Sequence, residues 1–340
     1  MKKRLIGVSV FAVLSLLVAG CGGGDDTSVY LVFDIGGRGD QSFNDAAATG
    51  LDRAIEELGI TASELEPTSG GENRGELLNL AAEDGAQLVF GVGFLFDAAI
   101  ASAAAAYPDT NFGLIDGFVP DLTADSNLIS LGFAEHEGSF LVGAAAALKS
   151  RTGKVGFIGG VEIDLIQRFE AGFVAGARHI DPGIEIDIKY ISQPPDFGGF
   201  ADPAKGKEIG SAMYQSGADV VYHAAGGSGG GLFQAAKDHS ESSGSHVWAI
   251  GVDSDQYLTA GAEFQPHILT SMLKRVDVAV YETIATLVDD SFAGGYRTFD
   301  LSVDGVGYAT SGGHVNDISA QLDDLKAQVV SGAITVPEAP

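Results

Sequence analysis

Residues 29–58 read VYLVFDIGGRGDQSFNDAAATGLDRAIEEL and contain an apolar run, a glycine-rich polar turn and a helical pattern, in that order. The run 29–33 is short, apolar on both faces and rich in strand-forming residues, which predicts a buried strand. From Asn44 to Leu58 apolar residues recur at helical spacing, and Gly59 follows as a C-cap. A buried strand that leads through a turn into such a helix predicts an α/β fold with a mainly parallel sheet.

Short apolar runs and helical patterns continue to alternate along the chain. Predicted strands lie at 88–92, 111–115, 128–132, 153–160, 185–190, 220–223, 247–252, 268–273, 299–303 and 306–309. Predicted helices lie at 73–83, 96–106, 137–149, 165–179, 203–215, 232–239, 276–290 and 320–331, and the tail 336–340 is predicted to fray.

Two lobes fit this number of elements better than one sheet of about a dozen strands. The sequence therefore predicts two doubly wound α/β lobes with a ligand cleft between them. The predicted crossovers lie near Gly132, Val252 and Arg297. The predicted first lobe comprises 28–132 and 253–297, and the second comprises 133–252 and 298–340.

The amino terminus has the pattern of an export signal. Basic residues at 2–4 precede an apolar run of about a dozen residues, too short to span a bilayer. The segment 17–21, LVAGC, resembles the lipobox of bacterial lipoproteins. We therefore expect 1–20 to be a signal peptide, Cys21 to carry the lipid, and 21–27 to tether the protein to the extracytoplasmic face of the cell membrane.

Charge and cysteine content exclude several classes of protein. The chain has 46 acidic and 19 basic residues, a net charge of −27, which disfavours nucleic acid and anionic lipid surfaces as partners. Cys21 is the single cysteine, so we expect a domain that is stable without disulfides.

The turn after the first strand is the first candidate for ligand binding, because ligands of open α/β sheets bind at the carboxyl ends of strands. Phe43 lies directly beside Asn44 in this polar turn, and Asp34 begins it. Phe43 could stack on a flat ligand while Asp34 and Asn44 bind its edge or its sugar. It could equally pack inward against the next helix. The residues alone leave both interpretations open.

A resemblance to a known family adds to this pattern. GGRGDQSFNDAAATGL closely resembles the signature of the basic membrane protein family of ABC-transporter binding lipoproteins, whose studied members bind purine nucleosides. The likeness continues, in family order, through GVGF at 91–94, YPD at 107–109, FGLID at 112–116, EGSFLVGAAA at 137–146, QRFEAGF at 167–173, AGGSG at 225–229, GVDSDQ at 251–256 and TSMLKR at 270–275. The resemblance implies a type I periplasmic-binding-protein fold, a purine nucleoside ligand (guanosine, inosine or adenosine), and ABC permease and ATPase subunits as partners.

The resemblance also implies roles for particular residues at the base of the ligand. Phe43 and Phe169 correspond to the rings that sandwich the purine, although Phe173 lies one helical turn further on and is a rival for the second ring. Asn44 and Asp116 correspond to residues that bind the edge of the base.

Three further positions are implied for the sugar. Asp253 lies at the end of the predicted strand 247–252, directly after its last residue, and its two oxygens suit the vicinal hydroxyls of ribose. Lys274 could donate to the same sugar and keep Asp253 ionised. Gly227 would let the backbone approach the ligand without a Cβ in the way.

Other functions are weighed against this one. A sugar or another small polar ligand could occupy the same fold, and a nucleoside-cleaving enzyme or a surface lipoprotein that binds macromolecules are rivals from other classes. The histidines lack the spacing of a zinc site, and no dinucleotide loop or P-loop is present. We therefore expect a binding protein with no catalytic residues, no metal and no cofactor.

Overall fold

The computed structural model describes residues 27–68 and 71–340, so the predicted signal peptide and Cys21 lie outside the described residues. Its strands are β1 Ser28–Val32, β2 Thr61–Leu65, β3 Leu88–Val92, β4 Asn111–Ile115, β5 Leu128–Phe133, β6 Lys154–Val161, β7 Glu185–Ser192, β8 Val220–Ala224, β9 Trp248–Asp253, β10 Ile268–Lys274, β11 Gly295–Phe299 and β12 Val306–Tyr308. The helices are α1 Phe43–Leu58, α2 Arg74–Glu83, α3 Asp97–Ala106, α4 Glu135–Lys149, α5 Asp164–Ile180, α6 Pro203–Gln215, α7 Gly229–Ser243, α8 Gln256–Thr259, α9 Val276–Val288 and α10 Ser319–Val330.

The strands form two six-stranded sheets with matching orders, β11-β5-β4-β3-β1-β2 and β12-β10-β9-β8-β6-β7. All neighbouring strands are parallel except β12, which runs antiparallel to β10. The prediction of two doubly wound α/β lobes is confirmed. Within the described residues, no helix is long and apolar enough to cross a bilayer.

One part of the predicted lobe assignment is wrong. The range 253–297 was expected in the first lobe, but β10 pairs with β9 in the second sheet, where Met272 lies beside Val252. The chain returns to the first lobe only at α9, which packs against α1. The second crossover therefore lies at Arg275. An apolar strand pattern reports burial on both faces but does not tell which of two sheets buries it.

Two local predictions also differ from the structure. Strand β2 was missed because its sequence, TASEL, is polar and half exposed at the sheet edge. The predicted strand at 299–303 is wrong: β11 ends at Phe299, and Leu301–Val303 is a 3-10 turn. In the tail 336–340, which is predicted to fray, Val336 is buried and Glu338 pairs with Arg168, whereas residues 337–340 are exposed.

Glycines allow α4 and α5 of the second lobe to pack at very short range. An ideal Cβ at Gly176 would lie 1.9 Å from the carbonyl oxygen of Phe140, and one at Gly172 would lie 2.0 Å from that of His136. Real side chains do not tolerate such distances, so any larger residue must push the helices apart. This contact fixes α5, which carries Phe169.

We expect Gly176→Ala to lower the free energy of unfolding by about 1–3 kcal/mol, because the added methyl group overpacks the contact between α4 and α5. Urea denaturation followed by circular dichroism measures the change. Gly230→Ala is the matched control, since a Cβ there meets no described atom within 4 Å. Equal stability of the two variants would contradict the packing argument.

Candidate functional site

Two aspartates occupy equivalent places in the two lobes. Asp116 follows β4 and Asp253 ends β9, and these strands hold the same position in their respective sheets. Both residues have a φ of 62°, a left-handed conformation that aspartate adopts more readily than most residues. Their carboxylates line one cavity at the carboxyl ends of the two sheets.

The turn between β1 and α1 forms the first-lobe side of this cavity. The carboxylate of Asp40 accepts hydrogen bonds from the backbone N–H groups of Ser42, at 2.9 Å, and Asn44, at 2.9 Å. These bonds satisfy donors at the start of α1 that have no partner within the helix. They therefore hold Phe43, the first residue of α1, at the cavity.

Asn44 is buried and is used chiefly to hold the same turn. Its Oδ1 accepts from the N–H of Asp34 at 3.2 Å, and its Nδ2 donates to the carbonyl of Ile35 at 3.3 Å and to Asp40 at 3.0 Å. Both donors of the amide are thus occupied, and one lone pair on Oδ1 remains. Asn44 can offer a ligand an acceptor but not a donor.

Asp34 also lines the cavity and forms an ion pair with Arg74. Burial raises the pKa of Asp34, and the Arg74 guanidinium partly offsets that increase. The pair anchors the start of the turn to α2.

Lys274 is the only lysine or arginine among the residues that line the cavity in the described part of the chain. Its ammonium bonds the carboxylate of Asp116 and lies over the Phe43 ring, 4.8 Å from its centroid, and near Phe169, at 5.6 Å. Glu135 Oε1 lies 3.9 Å from the same nitrogen. One buried cation thus contacts aromatic rings and carboxylates from both lobes.

Burial controls the ionisation of these groups. It raises the pKa of Asp253 to about 6 and that of Glu135 to about 7, although the positive charge of Lys274 opposes both increases. It also raises the pKa of Asp116. For Lys274, burial opposes the charged form, but the carboxylates of Asp116, Asp253 and Glu135 outweigh it, so its pKa is raised.

The structure brings together seven of the eight predicted ligand residues. The seven that line the cavity are Asp34, Phe43, Asn44, Asp116, Phe169, Asp253 and Lys274. Gly227 does not line it: a Cβ there would meet the carbonyl oxygen of Phe200 and the side chain of Asp40, and the neighbouring Gly226 lines the cavity instead. Phe173, the rival of Phe169, lies in the core of the second lobe, 5.3 Å from the ring of Tyr222.

Three aromatic residues at or beside the cavity were not predicted from the sequence. Phe94 from the first lobe contacts Phe197, at 5.9 Å between ring centroids, and Phe200, at 6.5 Å, which both follow β7 in the second lobe. Phe94 and Phe200 line the cavity. The segment 196–200, DFGGF, has the same pattern that indicated Phe43, namely an aromatic residue in a glycine-rich polar turn. Asp40 was missed too.

Within residues 27–68 and 71–340, histidine, cysteine, aspartate and glutamate form no group of three that could hold a metal ion. The cavity instead offers aromatic faces, carboxylate acceptors and one ammonium donor. Two α/β lobes that enclose such a cavity between them define a solute-binding protein of the periplasmic-binding-protein class.

Comparison with known proteins gives the family. The family model described as ABC transporter substrate-binding protein PnrA-like, Bmp, matches residues 27–339. The chain belongs to this family of ABC-transporter substrate-binding proteins, which work outside the cytoplasm.

Individual relatives agree with this assignment. The chain is 36% identical to the ABC transporter nucleoside-binding protein BmpA of Lactococcus lactis, over 99% of each chain. It is 34% identical to an uncharacterized lipoprotein of Pyrococcus abyssi, over 91% of this chain and 77% of that one. A solved structure of an ABC transporter solute-binding protein from Aeropyrum pernix matches with a TM-score of 0.79 and 30% identity, over 91% of this chain and 93% of that chain.

Proposed function

We propose that this protein binds a purine nucleoside in the cavity between its lobes and delivers it, unmodified, to the permease and ATPase subunits of an ABC importer. The lipid on Cys21 would keep it at the outer face of the membrane. The observation that carries the proposal is the combination of two phenylalanine rings from opposite lobes with buried carboxylates that line the same cavity. The name of the Lactococcus lactis relative, a nucleoside-binding protein, supports it.

The rings of Phe43 and Phe169 suit a flat base. Phe43 begins α1 of the first lobe and Phe169 lies in α5 of the second, so closure of the lobes would hold a purine from both sides. Stacking of a base on an aromatic ring contributes about 1–3 kcal/mol per base. A free pentose would leave at least one of these rings with little to cover.

The edge of the base would meet Asp116. Its Oδ2 accepts from Lys274, whereas its buried Oδ1 has no hydrogen-bond partner in the described part of the chain. An unsatisfied buried acceptor is unfavourable, and an N–H group on the base edge would satisfy it. Asn44 adds one more acceptor, so the site selects a base that presents donors.

The ribose would meet Asp253 and Lys274. Ser42 donates to Asp253 Oδ2 at 2.6 Å and fixes the carboxylate, whose oxygens can accept from the 2′- and 3′-hydroxyls. The Lys274 ammonium has three donors and can give one to the sugar. Guanosine, inosine and adenosine all carry this diol.

Isothermal titration of residues 28–340 with guanosine, inosine, adenosine, cytidine and ribose, followed by chromatography of the mixture, tests the proposal. We expect saturable binding of a purine nucleoside at one site, with intact nucleoside recovered. Recovery of free base would identify an enzyme instead. Binding of ribose alone would identify a sugar receptor, and no binding of any of the five would refute the proposed ligand class.

We expect Phe43→Ala to weaken purine nucleoside binding roughly 5- to 150-fold, the loss of one stacking contact of about 1–3 kcal/mol. Phe118→Ala is the matched control, because Phe118 is a 64% exposed ring of the same lobe and does not line the cavity. Titration calorimetry of both variants gives the comparison. Wild-type affinity in Phe43→Ala would remove Phe43 from the site.

Protonation of Asp253 should weaken nucleoside binding at acidic pH. Since its pKa is about 6 in the empty cavity and the diol donates to the ionised form, nucleoside binding should lower this pKa. Affinity is then lost as the pH falls through about 6. Titrations between pH 5 and 7 should show this loss for ribonucleosides. A 2′,3′-dideoxynucleoside, which lacks the diol, should not show it, and Asp253→Asn should discriminate less between the two ligands.

A further inference from the structure

We propose that Glu135 is a positioning residue for Lys274 and takes up a proton when the two lobes close on the ligand. The inference rests on the proposed function and concerns the same cavity. Glu135 does not line the cavity, and neither the sequence motifs nor the resemblance assigned it a role.

Glu135 lies directly behind the cavity, where the chain passes between the lobes. It is the first residue of α4, immediately after the first crossover, and Lys274 is the last residue of β10, immediately before the second. The Glu135 side chain is 1% exposed, and its Oε1 lies 3.9 Å from Lys274 Nζ. Its Oε2 lies 3.4 Å from Arg168 Nη1 on α5, and Arg168 in turn pairs with Glu338 of the tail.

The charges around Lys274 do not balance. One ammonium, 2% exposed, lies near the carboxylates of Asp116, Asp253 and Glu135. Arg168 is 40% exposed, so solvent screens much of its charge. A purine nucleoside is uncharged and cannot neutralise the excess. A proton on one carboxyl group is the remaining way to reduce it.

The groups that face Glu135 favour that carboxyl group. Lys274 from β10 and Arg168 from α5 stabilise its ionised form, whereas burial and the charge of Asp116, after β4, oppose it. Tyr222 from β8 is also close enough for the charge of Glu135 to raise its pKa, although burial is the larger cause. The balance leaves the pKa of Glu135 at about 7, so the group titrates under ordinary conditions.

Closure changes this balance in one direction. Asp116 belongs to the first lobe, whereas Glu135 and Lys274 belong to the second. When the lobes separate, Asp116 moves away and water enters, which weakens both effects that raise the pKa of Glu135. Closure on the ligand restores them, and Glu135 then binds a proton from solution. Neutral Glu135 then no longer competes for the ammonium, which keeps its bond to Asp116 and can donate to the sugar.

Titration calorimetry of the wild-type domain with the purine nucleoside that it binds tests this inference. Measurements in phosphate and in Tris, which differ in ionisation enthalpy, count the protons exchanged. With a pKa of about 7 in the closed form and a lower pKa in the open form, we expect uptake of up to about half a proton at pH 7, and an affinity that falls by up to about fourfold from pH 6.5 to 8.0. The proton uptake and the loss of affinity at higher pH have the same cause, because the closed form binds more protons than the open form.

Glu135→Gln keeps the size of the side chain and removes the titrating group, so it should abolish both the proton uptake and the pH dependence in this range. Glu137→Gln is the matched control. Glu137 lies on the same helix but accepts from the backbone N–H of Leu301, at 3.0 Å, and does not line the cavity. That variant should retain the wild-type proton count.

The outcomes separate the two proposals. Nucleoside binding without proton uptake in the wild type overturns the role of Glu135 and leaves the proposed function intact, even if Glu135→Gln does not fold. Wild-type proton uptake in Glu135→Gln also overturns it. Failure of every nucleoside to bind overturns the proposed function itself.

Discussion

The cavity depends on one buried cation. Lys274 lies where the two lobes meet, and its ammonium bonds Asp116 of the opposite lobe while it contacts the rings of Phe43 and Phe169. A buried ammonium is costly without carboxylates, and buried carboxylates are costly without a cation. The positions of Lys274, Asp116 and the two rings therefore depend on one another. Because these groups come from both lobes, they also depend on how the lobes are placed relative to each other.

The lobes also meet in two chemically different places. Between the turn before α1 and the end of β9 the contacts are polar, as between Ser42 and Asp253 and between Ser254 and the carbonyl of Ser42. Between Phe94 and the rings that follow β7 they are aromatic. Hydrogen bonds demand a particular geometry, whereas ring contacts of this kind tolerate small shifts. The polar contacts would thus define the closed position, and the aromatic contacts would allow small adjustments around it.

Much of the fold was predictable because apolar periodicity distinguishes strands from helices, and strand ends indicate where ligand residues gather. Asp116 and Asp253 could be selected on that basis. Sheet membership could not, since β10 has the same buried pattern in either lobe, and β2 is too polar to carry the pattern at all. Glu135 was missed because its position depends on two crossovers meeting in space, which no local window of sequence encodes.

The carboxyl-terminal tail connects the outside of the protein with this interior. Glu338 holds Arg168, and Arg168 holds Glu135 behind the ligand cavity. Glu338 is 59% and Arg168 40% exposed, so solvent screens this outer end of the chain of ion pairs. A purification tag or fluorescent reporter fused at Pro340 would lie two residues from Glu338 and act on that outer end first, whereas a fusion ahead of Ser28 would be at the other end of the sequence.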